Sequence, residues 1–213
     1  MASRRVAITG LGIISPLGLN LEENWKSLQE GRPAIGPITG ADCSTLRFKN
    51  GAEVRGYDPV KHFEGGKDAY IDRFAQFSVV AAREALRNSG IELTQELRER
   101  SAIVCGSAVG GQAAIESGFE DLWVQGRGRV HPLTIPKTMS NAGASHIAMD
   151  LGMSGPTYTV STACSSANHA IGQAFRLVRD GEADLAMTGG SEAMFSIGMR
   201  AMSARISARA MLP

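Results

Sequence analysis

The stretch TYTVSTACSSANHAIGQAFRLVRDGEADLAMTGG, residues 157–190, decides the fold. TYTVS is a run of β-branched and aromatic residues typical of a strand, and DLAMTGG reads as a second strand. Between them a helix is predicted that ends at Gly181. Its apolar face consists of Ala167, Ile171, Ala174, Leu177 and Val178. A strand, a helix and a strand within about 30 residues predict a parallel βαβ unit, so the chain belongs to the α/β class.

The remaining segments fit the same class. RRVAIT (residues 4–9) and SAIVC (101–105) predict two further strands. DRFAQFSVVAAREALRNSG (72–90) predicts a helix with a natural stop at Gly90. We therefore expect a mixed, mostly parallel sheet flanked by helices.

Composition excludes several functional classes. The chain has 213 residues, 43% hydrophobic and 20% charged, with a formal charge of +1. It can bury a core, and no global field favours nucleic acid or a membrane surface. No apolar stretch approaches the roughly 20 residues of a membrane span. The three cysteines and four histidines lack metal-ligand spacing, so we expect a reduced, cytoplasmic protein without metal or cofactor.

Cys164 falls between the end of a predicted strand and the first turn of the following helix. Unpaired N–H groups and the helix dipole favour an anion there, and the thiolate is the form that attacks an acyl thioester. The same N–H groups can hold the oxyanion that results. The alternative is a buried cysteine that packs as a small hydrophobe, and the local pattern leaves both open. Small neighbours at residues 165–167, and Gly190 at the end of the next strand, favour the nucleophile.

Two glycine-rich segments are weak candidates for nucleotide binding. In TGLGIISPLG (9–18), Ser15 stands where the dinucleotide fingerprint needs its third glycine, so a structural turn is favoured. GSAVGG (106–111) lacks the Lys-Ser/Thr pair of a phosphate-binding loop. Its small residues predict close packing beside a ligand channel.

Five segments taken together resemble the β-ketoacyl-acyl-carrier-protein synthases of the type II, elongating kind, which have a thiolase-like fold. They are RRVAITGLGIISPLG, GSAVGG, PLTIPKTMSNAGASHIA, GPTYTVSTACSSANHAIGQA and ADLAMTGGSEA, in the order and spacing of that family. The resemblance implies that residues 1–198 form the N-terminal half of such a subunit. It also implies that Cys164 accepts an acyl chain from a carrier protein's phosphopantetheine arm. A malonyl-carrier thioester is then decarboxylated, and its carbanion takes the acyl chain to give a 3-oxoacyl product.

Further roles follow from the same resemblance. The Cys164 N–H is one oxyanion donor, Val109 lines the acyl channel, and Leu133 and Thr134 reach across a homodimer interface into the partner's pocket. For these three pocket residues, ordinary core packing is the alternative. An acyl carrier protein, which is acidic, is the expected partner. The expected basic landing area consists of Lys61, Lys67, Arg127 and Arg129, for which a solvated charged loop is the alternative.

The end of the chain departs from the family pattern. Such synthases have a second half that supplies two histidines, a lysine and a Gly-Phe-Gly-Gly segment, and these motifs are not found in this sequence. MRAMSARISARAMLP, residues 199–213, has no periodic apolar face. We expect a frameshift near Gly198 that leaves this tail out of frame, which sequencing of the downstream DNA tests. A truncated subunit should expose apolar surface and be marginally soluble or assemble.

Three other functions stay open at this point. One is a non-catalytic partner subunit like the chain-length factors, which typically lack the cysteine. The second is an inactive truncated product. The third is a dinucleotide-dependent oxidoreductase, which Ser15 disfavours. Acyl chain length and the choice between primary and specialised pathways are not fixed by the sequence.

Overall fold

The computed structural model describes residues 4–40, 43–44, 46 and 49–196. Gly198 and the predicted tail at 199–213 lie outside the described residues, so the boundary there stays a prediction. The elements of the described part are α1 (Leu21–Gln29), β1 (Gly36–Pro37), β2 (Asn50–Gly51), 3-10 segments Pro59–Lys61 and Glu64–Tyr70, α2 (Arg73–Ser89), α3 (Gln95–Glu99), β3 (Ser101–Gly106), α4 (Gln112–Phe119), a π turn (Glu120–Val124), α5 (Thr134–Thr138), α6 (Ala142–Leu151), β4 (Thr157–Val160), α7 (Ser166–Arg179) and β5 (Leu185–Gly190).

The main sheet contains three parallel strands in the order β4-β3-β5. β3 is central, and all of its residues are buried. Gly106 pairs with Val160 of β4 and with Gly190 of β5, so the carboxyl ends of all three strands meet at one edge. Within the described ranges, ladders of antiparallel strands are confined to the separate two-residue pairing of β1 and β2. The predicted α/β class and its parallel βαβ unit are confirmed.

Helices cover both faces of this sheet. On one face, Ala170 and Ala174 of α7 pack against Val104 of β3. The neighbouring Ile103 points the other way and joins a larger core with Phe74 of α2 and with α6. In the described part of the chain, the sheet is therefore the middle layer of three. α7 covers one face, and its amino end lies at the carboxyl edge of the sheet.

The ends of α2 follow from local chemistry. Asp72 Oδ1 accepts a hydrogen bond from the Phe74 N–H at 3.2 Å, which caps the first turn. Gly90 ends the helix with φ of +66°, a left-handed conformation that costs glycine little. The helix predicted from residues 72–90 is therefore confirmed at both ends.

The prediction of a strand at RRVAIT, residues 4–9, is wrong. Within the described chain these residues pair with no strand, and the segment that follows them lies on α2. The Leu11 N–H donates to Asn88 Oδ1 at 2.9 Å, so a helix side chain takes the place of a neighbouring strand. A Cβ on Gly12 would collide with the Ala81 carbonyl oxygen, and glycine thus lets the two backbones touch.

The glycine-rich segment at residues 9–18 ends in a tight turn, as predicted. The Ser15 N–H donates to the Gly18 carbonyl at 2.9 Å, and the Gly18 N–H donates back at 3.1 Å. The Ser27 hydroxyl of α1 donates to the Leu17 carbonyl at 2.6 Å, which holds the turn on the helix. These backbone groups are engaged within the protein, which supports a structural role for the turn.

Candidate active site

The three cysteines differ in exposure. Cys43 and Cys105 are buried, while Cys164 is exposed. Burial raises the pKa of the Cys105 thiol to about 12, which keeps it protonated and unreactive at neutral pH. In the described residues, no group of three or more His, Cys, Asp or Glu side chains could hold a metal ion, and no helix combines the length and apolarity that a bilayer crossing needs. Cys164 is thus the cysteine that a substrate can reach.

Cys164 lies in a sharp turn between β4 and α7. Ala163, just before it, has φ of +54°, a left-handed conformation that costs an alanine roughly 1 kcal/mol. The turn is held by local bonds: the Ser165 N–H donates to the Thr162 carbonyl at 3.2 Å, and the Ser166 hydroxyl donates to the Ala163 carbonyl at 2.7 Å. A strand, a strained turn and a helix are the arrangement that exposes a nucleophile above a parallel sheet.

Glycines at the ends of β3 and β5 seat this turn on the sheet. A Cβ on Gly106 would lie 2.5 Å from the Ala167 backbone nitrogen, and one on Gly190 would lie 2.6 Å from the Ala167 Cβ. Because neither strand carries a side chain there, the first turn of α7 rests directly on the strand ends. The expected position of Cys164 at the carboxyl edge of a parallel sheet, where α/β proteins place their sites, is therefore what the structure has.

The amino end of α7 gives this position its electrostatic character. Its first backbone N–H groups and the helix dipole present partial positive charge to an anion near Cys164. The Cys164 N–H itself makes no hydrogen bond with any of the described residues. It is therefore free to donate to an oxygen that carries negative charge beside the sulfur.

The loop between β3 and α4, residues 107–111, carries Val109 and is held by Glu192. The Glu192 Oε1 accepts hydrogen bonds from the Ala108 N–H and, at 3.1 Å, from the Ser107 hydroxyl. The Ser107 oxygen in turn accepts from the Gly110 N–H at 3.1 Å. Val109 is partly buried in a loop whose backbone is fixed on both sides. Sequence reasoning missed Glu192, although its place two residues after the GG of β5 was the available signal.

The predicted close packing of GSAVGG (residues 106–111) is confirmed at Gly111, its last residue. A Cβ on Gly111 would collide with the Lys137 carbonyl oxygen, and the Gly111 N–H donates to the Thr138 carbonyl at 3.3 Å. The loop therefore lies backbone to backbone against α5. The same helix begins with Thr134, directly after Leu133, and both residues are partly buried.

Large apolar side chains stand exposed near α5. The side chains of Trp123 and Ile135 are 75% and 69% exposed. The rings of Phe119 and Trp123 stack with centroids 4.6 Å apart, on the turn that follows α4. We call Phe119, Trp123 and Ile135 the α4–α5 apolar residues. Exposed apolar side chains of this size indicate surface that a partner covers.

The four basic residues of the expected landing area lie on two segments that meet. Lys61 and Lys67 are exposed on the consecutive 3-10 segments, and Arg127 and Arg129 are exposed on the loop after the π turn. The two segments come together where the rings of Tyr70 and His131 lie 6.4 Å apart.

The charges of these four basic residues are not equally available to a partner. Arg127 Nη1 lies 2.8 Å from Asp121 Oδ1, so its charge is partly neutralised. Lys61, Lys67 and Arg129 have no ion pair with the described residues. These three are therefore the stronger candidates for contact with an acidic partner.

The histidines fall into two groups. Burial lowers the pKa of His62 and of His146, so both imidazoles favour the neutral form. His131 and His169 are exposed. The structure brings Nδ1 of His169 to 2.7 Å from the Thr162 hydroxyl oxygen, beside the Cys164 turn. The Cys164 thiol itself makes no hydrogen bond with the described residues.

One cavity lies at the carboxyl end of β5. It has a volume of about 750 Å³ and is bounded by residues 12–16, by part of α2 and by residues 190–195. Its lining includes Gly190 and Glu192 but neither Cys164 nor Val109. The cavity therefore adjoins the strand end on which the Cys164 turn rests, and the thiol itself does not line it.

One protein family accounts for this sequence and geometry. The family model described as Beta-ketoacyl synthase, N-terminal domain, matches residues 3–211. The chain belongs to the β-ketoacyl synthase family, and its fold is the thiolase-like fold that the five segments predict. The matched range extends beyond Gly198, and the boundary predicted there stays a prediction.

Individual relatives agree with the family. Nodulation protein E of Rhizobium sp. (strain N33) is 38% identical over 192 residues, which are 90% of this chain and 48% of that protein. The 3-oxoacyl-[acyl-carrier-protein] synthase 2 of Coxiella burnetii (strain RSA 493 / Nine Mile phase I) is 34% identical over 192 residues, 90% of this chain and 46% of that protein. The solved structure of the ishigamide ketosynthase/chain length factor superposes with a TM-score of 0.87 at 30% identity, over 96% of this chain and 51% of that chain. The chain spans about half the length of the curated relatives it matches.

Proposed function

We propose that the protein takes part in the 3-oxoacyl-[acyl-carrier-protein] synthase reaction and that Cys164 is its acyl-accepting nucleophile. The observation that carries this proposal is the exposed Cys164 thiol in a strained turn at the amino end of α7. Membership of the β-ketoacyl synthase family supplies the acyl thioester as the substrate class. The protein is then an acyltransferase of fatty-acid or related acyl-chain synthesis.

The acylation step uses groups that the described residues provide. The Cys164 thiolate attacks the carbonyl carbon of an acyl thioester, and a bond forms between Sγ and that carbon. The carbonyl oxygen becomes an oxyanion, which accepts a hydrogen bond from the free Cys164 N–H. Collapse of this intermediate breaks the original C–S bond and releases the carrier thiolate, which takes up a proton from solvent. The acyl chain is then held on Cys164 as a new thioester.

The condensation step belongs to the proposed function of the whole protein. There, a malonyl-carrier thioester loses carbon dioxide, and the resulting carbanion attacks the acyl thioester on Cys164. The product is a 3-oxoacyl chain, and the Cys164 thiolate is regenerated. We assign acylation to this part of the protein, because the Cys164 thiol and N–H are the groups of the reaction that the described residues provide.

Val109, Leu133 and Thr134 are proposed to line the acyl pocket. Support comes from the loop of Val109, which Glu192 fixes and which lies against α5. Leu133 and Thr134 begin that helix, so the three residues belong to two segments in backbone contact. The nearby α4–α5 apolar residues support a homodimer in which a second subunit covers this surface.

An acyl carrier protein is the proposed partner, with Lys61, Lys67, Arg127 and Arg129 as its contacts. The junction of their two segments at Tyr70 and His131 supports a shared basic surface. A cytoplasmic location is proposed as well, and the reduced state of Cys105 and Cys164 supports it.

Intact-mass spectrometry tests the central proposal. The protein is mixed with an acyl-carrier thioester, and a mass gain equal to one acyl group on Cys164 is expected. Cys164→Ser is the matched variant and should gain no acyl group, whereas hydroxylamine should remove the acyl group from the wild type because it cleaves a thioester. A wild-type chain that alkylates with iodoacetamide at Cys164 but takes no acyl group would contradict acylation and favour an inactive product.

A further inference from the structure

His169 lies on α7, five residues after Cys164, and its side chain reaches back across the turn. Its Nδ1 is 2.7 Å from Oγ1 of Thr162, which precedes Cys164 by two residues. This is the distance of a good hydrogen bond. The contact therefore links the strand side of the turn to the helix side, with the thiol between them.

Thr162 is bonded through each of its polar groups. Its carbonyl accepts from the Ser165 N–H at 3.2 Å and from the Ser165 hydroxyl at 2.7 Å. Its N–H donates to the Ser166 oxygen at 2.9 Å. These bonds reach no further than Ser166, the first residue of α7. The Thr162 hydroxyl, which also lies 3.3 Å from the Ser165 hydroxyl, is the group that reaches further along the helix, to His169.

The strained backbone makes this longer link important. Ala163 has φ of +54°, and such a conformation persists only where surrounding contacts hold it. The local serine bonds fix the shape of the turn. The bond from Thr162 to His169 adds a tie between the turn and a position further along α7.

We propose that His169 is a positioning residue for acylation at Cys164. Through Thr162 it holds the turn so that Sγ and the Cys164 N–H face the same substrate carbonyl. The imidazole does not act on the thiol directly, because it makes its bond to Thr162 and none to Sγ. This inference rests on the proposed acylation of Cys164 and adds a residue to which the resemblance assigned no role.

Paired substitutions test the link. In His169→Ala and Thr162→Val the hydrogen bond is lost, and acylation by a small acyl thioester should slow about two- to tenfold, the factor that one net hydrogen bond provides. Asparagine can place an amide group where Nδ1 lies, and serine retains the hydroxyl. His169→Asn and Thr162→Ser should therefore stay within about twofold of the wild type. The double variant His169→Ala/Thr162→Val should be no slower than the slower single variant.

Gln173 supplies the matched control, since it is exposed one turn further along α7. Gln173→Ala should acylate at the wild-type rate, and thermal unfolding of each variant checks the fold. If His169→Asn is as slow as His169→Ala, or if the double variant multiplies the two losses, positioning through Thr162 is wrong. If His169→Ala does not fold, Thr162→Val against Thr162→Ser decides.

Alkylation separates this inference from the proposed function. The rate at which iodoacetamide modifies Cys164 depends on the same turn and needs no acyl substrate. A wild type that takes no acyl group overturns the proposed function. In that case the alkylation rates still test the positioning role. Slower alkylation of His169→Ala and Thr162→Val than of the wild type supports it, and rates equal to that of the wild type overturn it.

Discussion

Asp72 Oδ2 accepts a hydrogen bond from the Ala114 N–H at 3.0 Å, while its Oδ1 accepts from the Phe74 N–H at 3.2 Å. One buried carboxylate thus caps the first turns of α2 and α4 together. Because α4 follows the loop of Val109, this carboxylate fixes the point at which that loop ends. Burial of Asp72 raises its pKa above the ordinary value of 3.8, even though both N–H donors act to lower it.

The raised pKa predicts a pH-dependent contribution to stability. When the pKa of a carboxyl is higher in the folded chain, the folded state binds more protons than the unfolded one. The stability that Asp72 contributes is then greatest below 3.8 and is lost as pH rises through the folded pKa. We expect the unfolding free energy of wild type minus that of Asp72→Asn to fall as pH rises, measured by urea denaturation. A difference that grows with pH would contradict this.

Glu192 should control the order of the loop at residues 107–111. Glu192→Ala leaves the Ala108 N–H without its acceptor, so a loss of about 1–3 kcal/mol in unfolding free energy is expected. Glu192→Gln keeps one acceptor oxygen and should cost less. Hydrogen exchange of the Ala108 amide measures the effect, with strong acceleration in the alanine variant. If the Ala108 amide exchanges as slowly in Glu192→Ala as in the wild type, Glu192 does not hold the loop.

Alanine at Gly190 should be far more harmful than alanine at Gly172. A Cβ on Gly190 meets Ala167 at 2.6 Å, so Gly190→Ala is expected to destabilise by on the order of 3 kcal/mol. A Cβ on Gly172, in α7, meets nothing within 4 Å. Gly172→Ala should stabilise by about 1 kcal/mol, because alanine is the better helix former. Urea denaturation compares the two, and equal losses would show that the turn is not seated on the strand ends.

The strain at Ala163 predicts opposite effects of two substitutions. Ala163→Gly removes the steric cost of the left-handed conformation and should keep both the fold and acylation. Ala163→Val places a β-branched side chain there and should destabilise by about 2 kcal/mol or more. Thermal unfolding and acylation by a small thioester measure the two properties. A valine variant as stable and reactive as the wild type would mean that the turn does not need this backbone.

Charge reversal should separate carrier binding from acyl transfer. Lys67→Glu and Arg129→Glu are expected to slow acylation by an acyl-carrier protein about three- to tenfold at low salt. Acylation by a small neutral thioester should not change. Lys26→Glu on α1 is the control, because it makes the same change of charge at an exposed position on a different segment. Equal slowing in all three variants would indicate net charge alone.

Local signals in the sequence were enough for much of the fold. The helix from Asp72 to Gly90 carries its own capping residues, and the unit at residues 157–190 carries its own stop. The apolar face predicted for α7 is wrong at Ile171, which is 46% exposed, whereas Ala170 is buried. The position of Cys164 followed from the unit at residues 157–190, because local pattern shows where a strand ends and the next helix begins. The role of Cys164 stays a proposal.

The parts that failed or were missed depend on distant contacts. RRVAIT at residues 4–9 has strand propensity. Propensity does not determine whether the chain there pairs with another strand or, as in the segment that follows, packs on α2. Glu192 is joined to Ala108 and His169 to Thr162 by the way the turns fold back, and spacing alone does not reveal either bond. Such pairs require the tertiary arrangement of the sheet edge.

The glycines that end β3 and β5 leave the sheet edge below Cys164 without side chains at those positions. Because the first turn of α7 lies directly on these glycines, the strand ends are covered, and a substrate meets the turn instead. Under the proposed acylation, discrimination between acyl chains then depends on the loops and helices around that turn.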